Sequence, residues 1–317
     1  MERALLIGID EYQNFSDLGG CVNDVDALRP LLSRHEDGGT NFECQRRTSL
    51  DGPVTRDRML SDFDALLAGG ADVALAYFAG HGAARAEDVV LAASDGTGPT
   101  PGVALSELLG KVASSQVKEI ILILDCCFSG GAGGVPQLGG TAAALRPGLA
   151  LLAASRADQT AAETPHGRGQ FSTYLCGGLE GGAADVLGHV TVAGLYSYLD
   201  ESFGAWEQRP VFKANIERLH NLRSCKPAVS HEELRRLPDL FPTPEHEYPL
   251  DPSYEPEAEP ENPEHESVFR TLQNYNRAKL LEPVGEEHMY FAAVHSTSCR
   301  LTLLGQHYRQ LAGEGRI

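Results

Sequence analysis

The sequence predicts an α/β fold with a mostly parallel central sheet, followed by a small C-terminal α+β unit. Short apolar runs alternate with stretches of helical periodicity, which is typical of βαβ units. The run Glu119–Leu124 is almost continuously apolar, as expected of a central strand that is covered on both faces. Between residues 227 and 266 the composition becomes acidic and rich in proline, which predicts that the first domain ends there.

The elements of the first domain alternate between strand and helix along the chain. Strands are expected at Ala4–Ile9, Phe42–Arg47, Asp72–Phe78, Val89–Ala92, Glu119–Leu124, Leu149–Ala154 and Pro210–Ile216. Helices are expected at Val22–His35, Thr55–Ala68, Leu105–Ala113, Phe171–Gly178 and Val192–Phe203. A chain of 317 residues with 42% hydrophobic residues can hold one domain of roughly 200–250 residues and a smaller unit.

Three segments are predicted: a domain over residues 1–226, a linker over 227–266 and a small unit over 267–317. Residues His231–Glu266 contain 12 Asp and Glu against 2 Lys and Arg, so we interpret 227–266 as an extended acidic linker or a strap. The last segment is predicted as helix Val268–Leu281, strands Met289–Val294 and Cys299–Thr302, and helix Leu303–Leu311. This order resembles a winged-helix unit, and its weak charge favours partner binding or intramolecular packing over DNA reading.

Composition excludes several classes of function. The formal net charge of −18 argues against non-specific nucleic-acid binding and favours partners with basic segments. The seven cysteines form neither a CxxC pattern nor a disulfide framework, so no zinc site is expected. The sequence contains no signal-peptide pattern and no apolar run of roughly 18–20 residues, so we expect a cytoplasmic protein without a membrane segment.

Two residues with the chemistry of a thiol protease follow predicted strands. His81 lies in Tyr77–Gly82 (YFAGHG), and Cys127 lies in Asp125–Gly131 (DCCFSGG). A thiol protease needs a thiolate, a base that generates it and donors that stabilise the oxyanion. Because sites of parallel sheets form at the carboxyl ends of strands, both side chains would meet if their two strands are neighbours.

These motifs resemble those of the caspase and metacaspase superfamily. The histidine precedes the cysteine by 46 residues (127 − 81), near the roughly 50 expected of caspases. Asn23-Asp24, which follows Leu18–Cys21, resembles the metacaspase signature near the first strand. Four parts of the chain resemble the small-subunit region of that family: Ala153–Ser155, Gln159–Ala161, Glu163 and Phe171-Ser172. The resemblance covers residues 1–216 and implies a caspase-like three-layer sandwich.

The chain departs from the family pattern at several positions. Phe128 stands where metacaspases commonly have His, and Ala79 stands where they often have Ser. The Gln-Ala-Cys signature of caspases is absent. The resemblance is therefore to bacterial caspase-like or metacaspase-like peptidases of family C14 and not to animal caspases.

The resemblance implies a cysteine endopeptidase with assigned roles. Cys127 would attack the scissile carbonyl, while His81 would promote thiolate formation and protonate the leaving amine. The backbone N–H groups of Gly82 and Cys127 would stabilise the oxyanion. Cys126 would point to the opposite face of the strand, and we interpret it as a small buried hydrophobe. The alternative is that the pair is structural in an inactive homologue.

The resemblance also implies which residues bind P1, the substrate residue before the scissile bond. Metacaspases hold a basic P1 side chain with two acids that correspond here to Asp24 and Asp125, and Cys21 lies beside them. Two half-buried carboxylates favour a bidentately held guanidinium, so cleavage after Arg is expected over Lys. The alternatives are that Asp24 is stabilised by a helix dipole and that Asp125 caps backbone amides.

Processing and cofactors are less constrained by the sequence. Arg146 precedes Pro147 and makes a poor cleavage site, whereas Arg168 is a better candidate for self-cleavage. We expect a single-chain enzyme or one that another protease nicks elsewhere. No cofactor is expected to be required, and the absence of an EF-hand loop leaves calcium activation open.

The expected partners are protein substrates with basic cleavage sites and a regulatory protein. Bacterial relatives often act in defence or regulated cell death, which the resemblance extends to this chain. The first alternative is a non-catalytic scaffold that recruits partners through its C-terminal unit, although neither catalytic residue is missing. The second is a winged-helix regulator, which would bind DNA with a steep salt dependence.

Overall fold

The protein is described by a computed structural model over residues 1–85, 88–126, 145–154, 167–203, 210–216 and 220–317. These residues divide into two compact units. The first unit comprises residues 1–184 and 189–226, and the second comprises 185–188 and 227–317. Within the described ranges no helix is both long enough and apolar enough to cross a bilayer.

The first unit alternates strands and helices. Its described strands are β1 (Glu2–Gly8), β2 (Glu43–Thr48), β3 (Val73–Ala79), β4 (Gly82–Arg85), β5 (Asp88–Ala92), β6 (Gly102–Ala104), β7 (Glu119–Asp125), β8 (Leu149–Ala153), β9 (His189–Thr191), β10 (Val211–Asn215) and β11 (Asn221–Ser224). Its described helices are α1 (Cys21–Ser33), α2 (Arg56–Leu67), α3 (Leu105–Ser114), α4 (Gln170–Gly177) and α5 (Val192–Ser202). Each helix and strand predicted for this domain has a counterpart within a few residues of its predicted ends.

The central sheet of the described residues has six strands in the order β10-β8-β7-β3-β1-β2. All neighbouring pairs are parallel except β8 with the edge strand β10, which is antiparallel. The predicted fold class, an α/β sandwich around a mostly parallel sheet, is therefore confirmed. Two small antiparallel sheets, β4-β5-β6 and β9-β11, complete the unit as described.

Alternation along the strands builds one core on each face of the central sheet. Ile120, Leu122 and Leu124 of β7 face α2 and α3, while Ile121 and Ile123 face α1, α4 and α5. Successive strand residues point to opposite faces, so a strand covered by helices on both sides must be apolar throughout. Burial of each Leu or Ile side chain stabilises the folded state by about 1.5–3 kcal/mol, because the side chain leaves water.

The carboxyl ends of three central strands lie level with one another. In the strand register Gly8 of β1 is the partner of Ala79 of β3, and Ala79 is the partner of Asp125 of β7. The chain therefore leaves all three strands at the same edge of the sheet. This edge is where an open parallel sheet forms its binding sites.

The opposite end of the sheet is held by Arg146 and Gly148. The Arg146 guanidinium donates to the carbonyl oxygens of Val112, in the last turn of α3, and of Ser115 and Val117, which follow the helix. Gly148 adopts a φ of +82°, and a Cβ there would lie 1.9 Å from the carbonyl oxygen of Lys118. Arg146 thus has a structural role at this end of the sheet.

The second unit contains helices and a three-stranded antiparallel sheet. Its described elements are α6 (His231–Arg235), α7 (Leu237–Leu240), β12 (Glu247–Pro249), α8 (Pro263–Arg277), β13 (Leu281–Val284), α9 (Met289–Val294), β14 (Ser298–Leu301) and α10 (Leu303–Gly313). The sheet order is β12-β14-β13. Residues 227–266, expected as a linker, belong to this unit because Leu234, Leu237, Phe241 and Leu250 are buried in its core.

The prediction of a strand at Met289–Val294 is wrong, because this segment is the helix α9. Its buried residues are Met289, Ala292 and Ala293, three and four positions apart, which is helical spacing. Two alanines in six residues also favour a helix. The strand that pairs with β14 is instead β13, so helix α9 stands between the two strands and the winged-helix order is not reproduced.

We predict that Gly148→Ala lowers the free energy of unfolding of the first unit by about 2–4 kcal/mol. The added methyl group would meet the Lys118 carbonyl oxygen, and a positive φ is strained for alanine. Urea unfolding followed by circular dichroism measures the change. Gly110→Ala is the matched control, because Gly110 lies in α3 with nothing within 4 Å and should gain up to about 1 kcal/mol. Equal midpoints for Gly148→Ala and wild type would contradict the assignment.

Candidate active site

His81 follows β3 at the carboxyl edge of the sheet, and its ring is held by backbone. Its Nε2 lies 2.7 Å from the carbonyl oxygen of Ser16, in the loop that follows β1. Because a carbonyl oxygen can only accept a hydrogen bond, Nε2 carries the proton in this arrangement. In the neutral ring Nδ1 is then the basic nitrogen.

Tyr12 supports His81 from a second side. Its hydroxyl oxygen accepts the His81 backbone N–H at 2.9 Å, and the two ring centroids lie 4.8 Å apart. Burial raises the pKa of Tyr12 well above its usual value, so the hydroxyl stays protonated. Gly80 makes room for this contact, because a Cβ at that position would lie 2.6 Å from the Tyr12 hydroxyl.

The predicted nucleophile, Cys127, lies outside the residues that the structure describes. The strands that precede both catalytic candidates are neighbours, as the mechanism requires. Ala79 pairs with Asp125 in the register of β3 and β7, and His81 and Cys127 each follow their paired residue by two positions. Cys126 is buried, in line with its interpretation as a small hydrophobe. Gly82, predicted as an oxyanion donor, begins β4 directly after His81.

Asp24 is buried on the first turn of α1 and faces α4. Its carboxylate accepts hydrogen bonds from the backbone N–H of Gly169 at 3.1 Å and from the hydroxyl of Ser172. Arg168 adds an ion pair, with Nε 3.4 Å from Oδ1 of Asp24. Burial raises the pKa of Asp24, although Ser172, Gly169 and Arg168 each act to lower it.

Asp125 and Cys21 lie beside Asp24. Asp125 is buried at the end of β7, and the Tyr77 hydroxyl donates to its Oδ2 at 3.3 Å. Burial raises the pKa of the half-buried Cys21 thiol far above its usual value, and Asp10, Asp125 and Asp24 raise it further. Cys21 is therefore a neutral thiol and not a nucleophile. Of the three residues predicted to bind P1, Asp24 and Asp125 thus both lie close enough to Cys21 to act on its thiol electrostatically.

The N-terminus of α1 is capped by Asp10, while Asp24 lies in the first turn of the same helix. Asp10 accepts the backbone N–H groups of Cys21 and Val22, at 2.9 and 3.2 Å, and so caps the N-terminus of α1. Asp24 makes its hydrogen bonds to the start of α4 instead. Through these hydrogen bonds Asp24 links α1 to α4.

Sequence reasoning missed four residues of this site: Tyr12, Ser16, Ser172 and the Arg168 side chain as a partner of Asp24. Ser16 acts through its carbonyl oxygen, so no side chain could have indicated it. The sequence places Ser172 in a motif that resembles the family but indicates no role for it. The sequence signal for Arg168 is its basic charge next to a predicted acidic pocket.

No metal centre is found in the part of the chain that the structure describes. No group of three or more His, Cys, Asp or Glu residues there is arranged to hold a metal ion. Calcium activation is tested by the peptide-cleavage assay in the presence and absence of calcium.

The six-stranded, mostly parallel sheet with helices on both faces has the architecture of a caspase-like fold. The family model of the caspase domain matches residues 1–218, and the chain therefore belongs to the caspase family of cysteine peptidases. A comparison with curated proteins gave no match.

Two solved structures are similar in fold. Caspase-1 from Spodoptera frugiperda is 13% identical with a TM-score of 0.51, and the match covers 71% of this chain and 90% of that chain. A protein from Geobacter sulfurreducens is 14% identical with a TM-score of 0.49, covering 71% of this chain and 99% of that chain. At this identity the likeness to caspase-1 shows the fold alone.

We predict that Tyr12→Phe lowers kcat for peptide cleavage about tenfold and leaves KM unchanged. The variant removes the acceptor of the His81 N–H, a loss of about 1.4 kcal/mol in positioning of the base. Steady-state kinetics measure both constants.

Tyr196→Phe is the control for Tyr12→Phe, because the partly buried Tyr196 stacks on Phe212 against the core and its substitution should leave both constants unchanged. A Tyr12→Phe protein with wild-type kcat would show that the hydroxyl does not position His81.

Proposed function

We propose that this chain is a cysteine endopeptidase that cleaves protein substrates after a basic P1 residue, Arg over Lys. The observation that carries the proposal is the orientation of His81. Its Nε2 is engaged by the Ser16 carbonyl oxygen, which leaves Nδ1 as the base at the edge where β3 and β7 end. Membership of the caspase family supports the same chemistry.

In this mechanism the Cys127 thiol gives its proton to Nδ1 of His81, and the thiolate attacks the scissile carbonyl carbon. The backbone N–H groups of Gly82 and Cys127 stabilise the resulting oxyanion. His81 then protonates the leaving amine, and a thioester forms. Water hydrolyses the thioester, with His81 accepting its proton, so that the acid product leaves and the thiol is restored.

The proposed preference for a basic P1 residue rests on buried carboxylates. Asp24 and Asp125 are each less than one-tenth exposed, and both act on Cys21 and Tyr77. A guanidinium can satisfy such acids with several hydrogen bonds, whereas an ammonium acts as a point charge. The net charge of −18 also speeds the approach of basic segments. Substrates in bacterial defence or regulated cell death are part of the same proposal.

A second candidate function is a non-catalytic scaffold that recruits a partner protein through the C-terminal unit. The observation in its favour is the exposed apolar surface of α9, where Tyr290, Phe291 and Val294 are each at least one-third exposed. Exposed aromatic residues of this kind are enriched in protein interfaces. A scaffold of this type would bind its partner equally well after Cys127→Ala.

The first test compares fluorogenic peptides that differ only in P1, with Arg, Lys or Asp, in the presence and absence of calcium. We predict cleavage in the order Arg over Lys, none after Asp, and loss of all cleavage in Cys127→Ala. Release from the Asp peptide with none from the Arg peptide would overturn the specificity. Cleavage that persists in Cys127→Ala would overturn the nucleophile.

The pH dependence of specificity provides a further prediction. Burial raises the pKa of Asp24 above its ordinary value of 3.8, so acidification should neutralise it before an exposed Asp. The ratio of kcat/KM for P1 Arg to that for P1 citrulline should therefore fall as the pH drops toward the acid range. Above the raised pKa the ratio should be constant.

Asp24→Asn tests the origin of this pH dependence. The variant lacks the titrating group, so its ratio should be lower at neutral pH and should change less on acidification. A ratio that falls equally in wild type and Asp24→Asn would assign the effect to another group.

A further inference from the structure

Arg168 reaches the same acid that is proposed to receive the P1 side chain. Its Nε lies 3.4 Å from Oδ1 of Asp24. Its Nη2 lies 3.2 Å from the carbonyl oxygen of Ser172 and 3.0 Å from Sγ of Cys176. The Arg168 side chain is 22% exposed, whereas that of Asp24 is 4% exposed. A guanidinium that belongs to the chain itself is therefore already paired with this buried carboxylate.

The backbone around Arg168 lies against the N-terminus of α1. Nδ2 of Asn23 donates to the carbonyl oxygen of Gly167 at 3.1 Å, and the N–H of Gly169 donates to Asp24. Gly20 allows this approach, because a Cβ there would lie 3.3 Å from the Gly167 carbonyl oxygen. The Asn23-Asp24 pair thus binds the segment 167–169 on both sides of Arg168.

One carboxylate cannot serve both arginines fully. Oδ1 of Asp24 already accepts hydrogen bonds from the Ser172 hydroxyl and the Gly169 N–H, and it forms the ion pair with Arg168. A substrate guanidinium held bidentately would need both carboxylate oxygens. Two guanidinium groups on one acid would also repel each other in a poorly solvated site. Binding of a P1 arginine at Asp24 therefore requires Arg168 to leave.

We propose that Arg168 is an internal competitor for the P1 site, and that substrate binds at Asp24 only when the Arg168 side chain has swung away. This inference rests on the proposed basic P1 specificity. A site that is occupied most of the time binds its ligand with an affinity reduced by the fraction of open molecules. Arg168 therefore raises the substrate concentration that the enzyme needs for binding, and it favours substrates whose P1 side chain is basic enough to displace it.

The opposite role makes opposite predictions. If Arg168 were a fixed counter-ion that holds Asp24 in its binding geometry, removing it would weaken the binding of a P1 arginine. If Arg168 competes, removing it strengthens that binding. The sign of a single affinity change therefore separates the two roles.

The experiment measures binding without catalysis, in the Cys127→Ala background. Isothermal titration calorimetry with an acetylated peptide ending in arginine amide gives the affinity. We expect Arg168→Gln to bind this peptide about tenfold more tightly than its Cys127→Ala parent. The gain should vanish when Asp24→Asn is added, because the competition acts through that carboxylate. Unchanged or weaker binding by Arg168→Gln would overturn the proposal.

Arg58→Gln is the matched control. Arg58 also pairs with a buried carboxylate, that of Asp62, but it lies on α2 on the other face of the sheet. The Arg58→Gln substitution should leave the peptide affinity unchanged. A gain in affinity equal to that of Arg168→Gln would assign the effect to net charge and overturn the proposal.

A second measurement covers the case in which Arg168→Gln fails to fold. In the Cys127→Ala protein, the side-chain NMR signal of Arg168 Nε should shift toward that of a free arginine as the peptide is added. A signal that stays in place at saturation would overturn the competition.

The outcomes separate this inference from the proposed function. Tight binding in Arg168→Gln with no Cys127-dependent cleavage would support the competition and refute the enzyme. Cleavage after arginine with unchanged binding in Arg168→Gln would refute the competition and support the enzyme. No binding of the arginine peptide to either protein would overturn the competition and the basic P1 site together.

Discussion

The in-register pairing of β3 with β7 is the constraint on which the candidate site depends. Ala79 and Asp125 are partners at the last rung of the ladder, so the chain leaves both strands at the same height. Backbone hydrogen bonds along the two strands fix this register, and helices on both faces bury the side chains that confirm it. A slip of one residue would exchange side chains between the two cores, which hold different partners, and would move the histidine motif out of level with the cysteine motif.

The loop after β1 supplies further groups that position the residues of the candidate site. It supplies the Tyr12 hydroxyl and the Ser16 carbonyl oxygen to His81, and it supplies the Asp10 carboxylate to the N-terminus of α1. The same stretch of chain therefore orients the base and positions Asp24 and Cys21. Two glycines permit the close approach, since a Cβ at Gly8 would lie 2.5 Å from the Cys21 carbonyl oxygen and one at Gly80 would contact Tyr12.

The sequence allowed the sheet and its helices to be predicted, because the periodicity of apolar residues reports burial directly. The catalytic roles of His81 and Cys127 stay predictions. The sequence could not identify Ser16, since a backbone carbonyl has no side-chain signature. It also failed at Met289–Val294, where six apolar residues fit a strand as well as a helix until the burial of Met289, Ala292 and Ala293 decides. The acidic segment 227–266 was misjudged because its many carboxylates outnumber the few buried residues, such as Leu234 and Phe241, that anchor it.

The position of β8 has a consequence for the integrity of the molecule. This strand lies inside the sheet, between β7 and β10, and the Arg146 side chain just before it donates to carbonyl oxygens at the end of α3, those of Val112 and Ser115. A peptide bond broken anywhere between residues 127 and 144 would therefore sever the covalent chain without releasing either fragment. The two polypeptides would separate on a denaturing gel and travel as one particle in native solution.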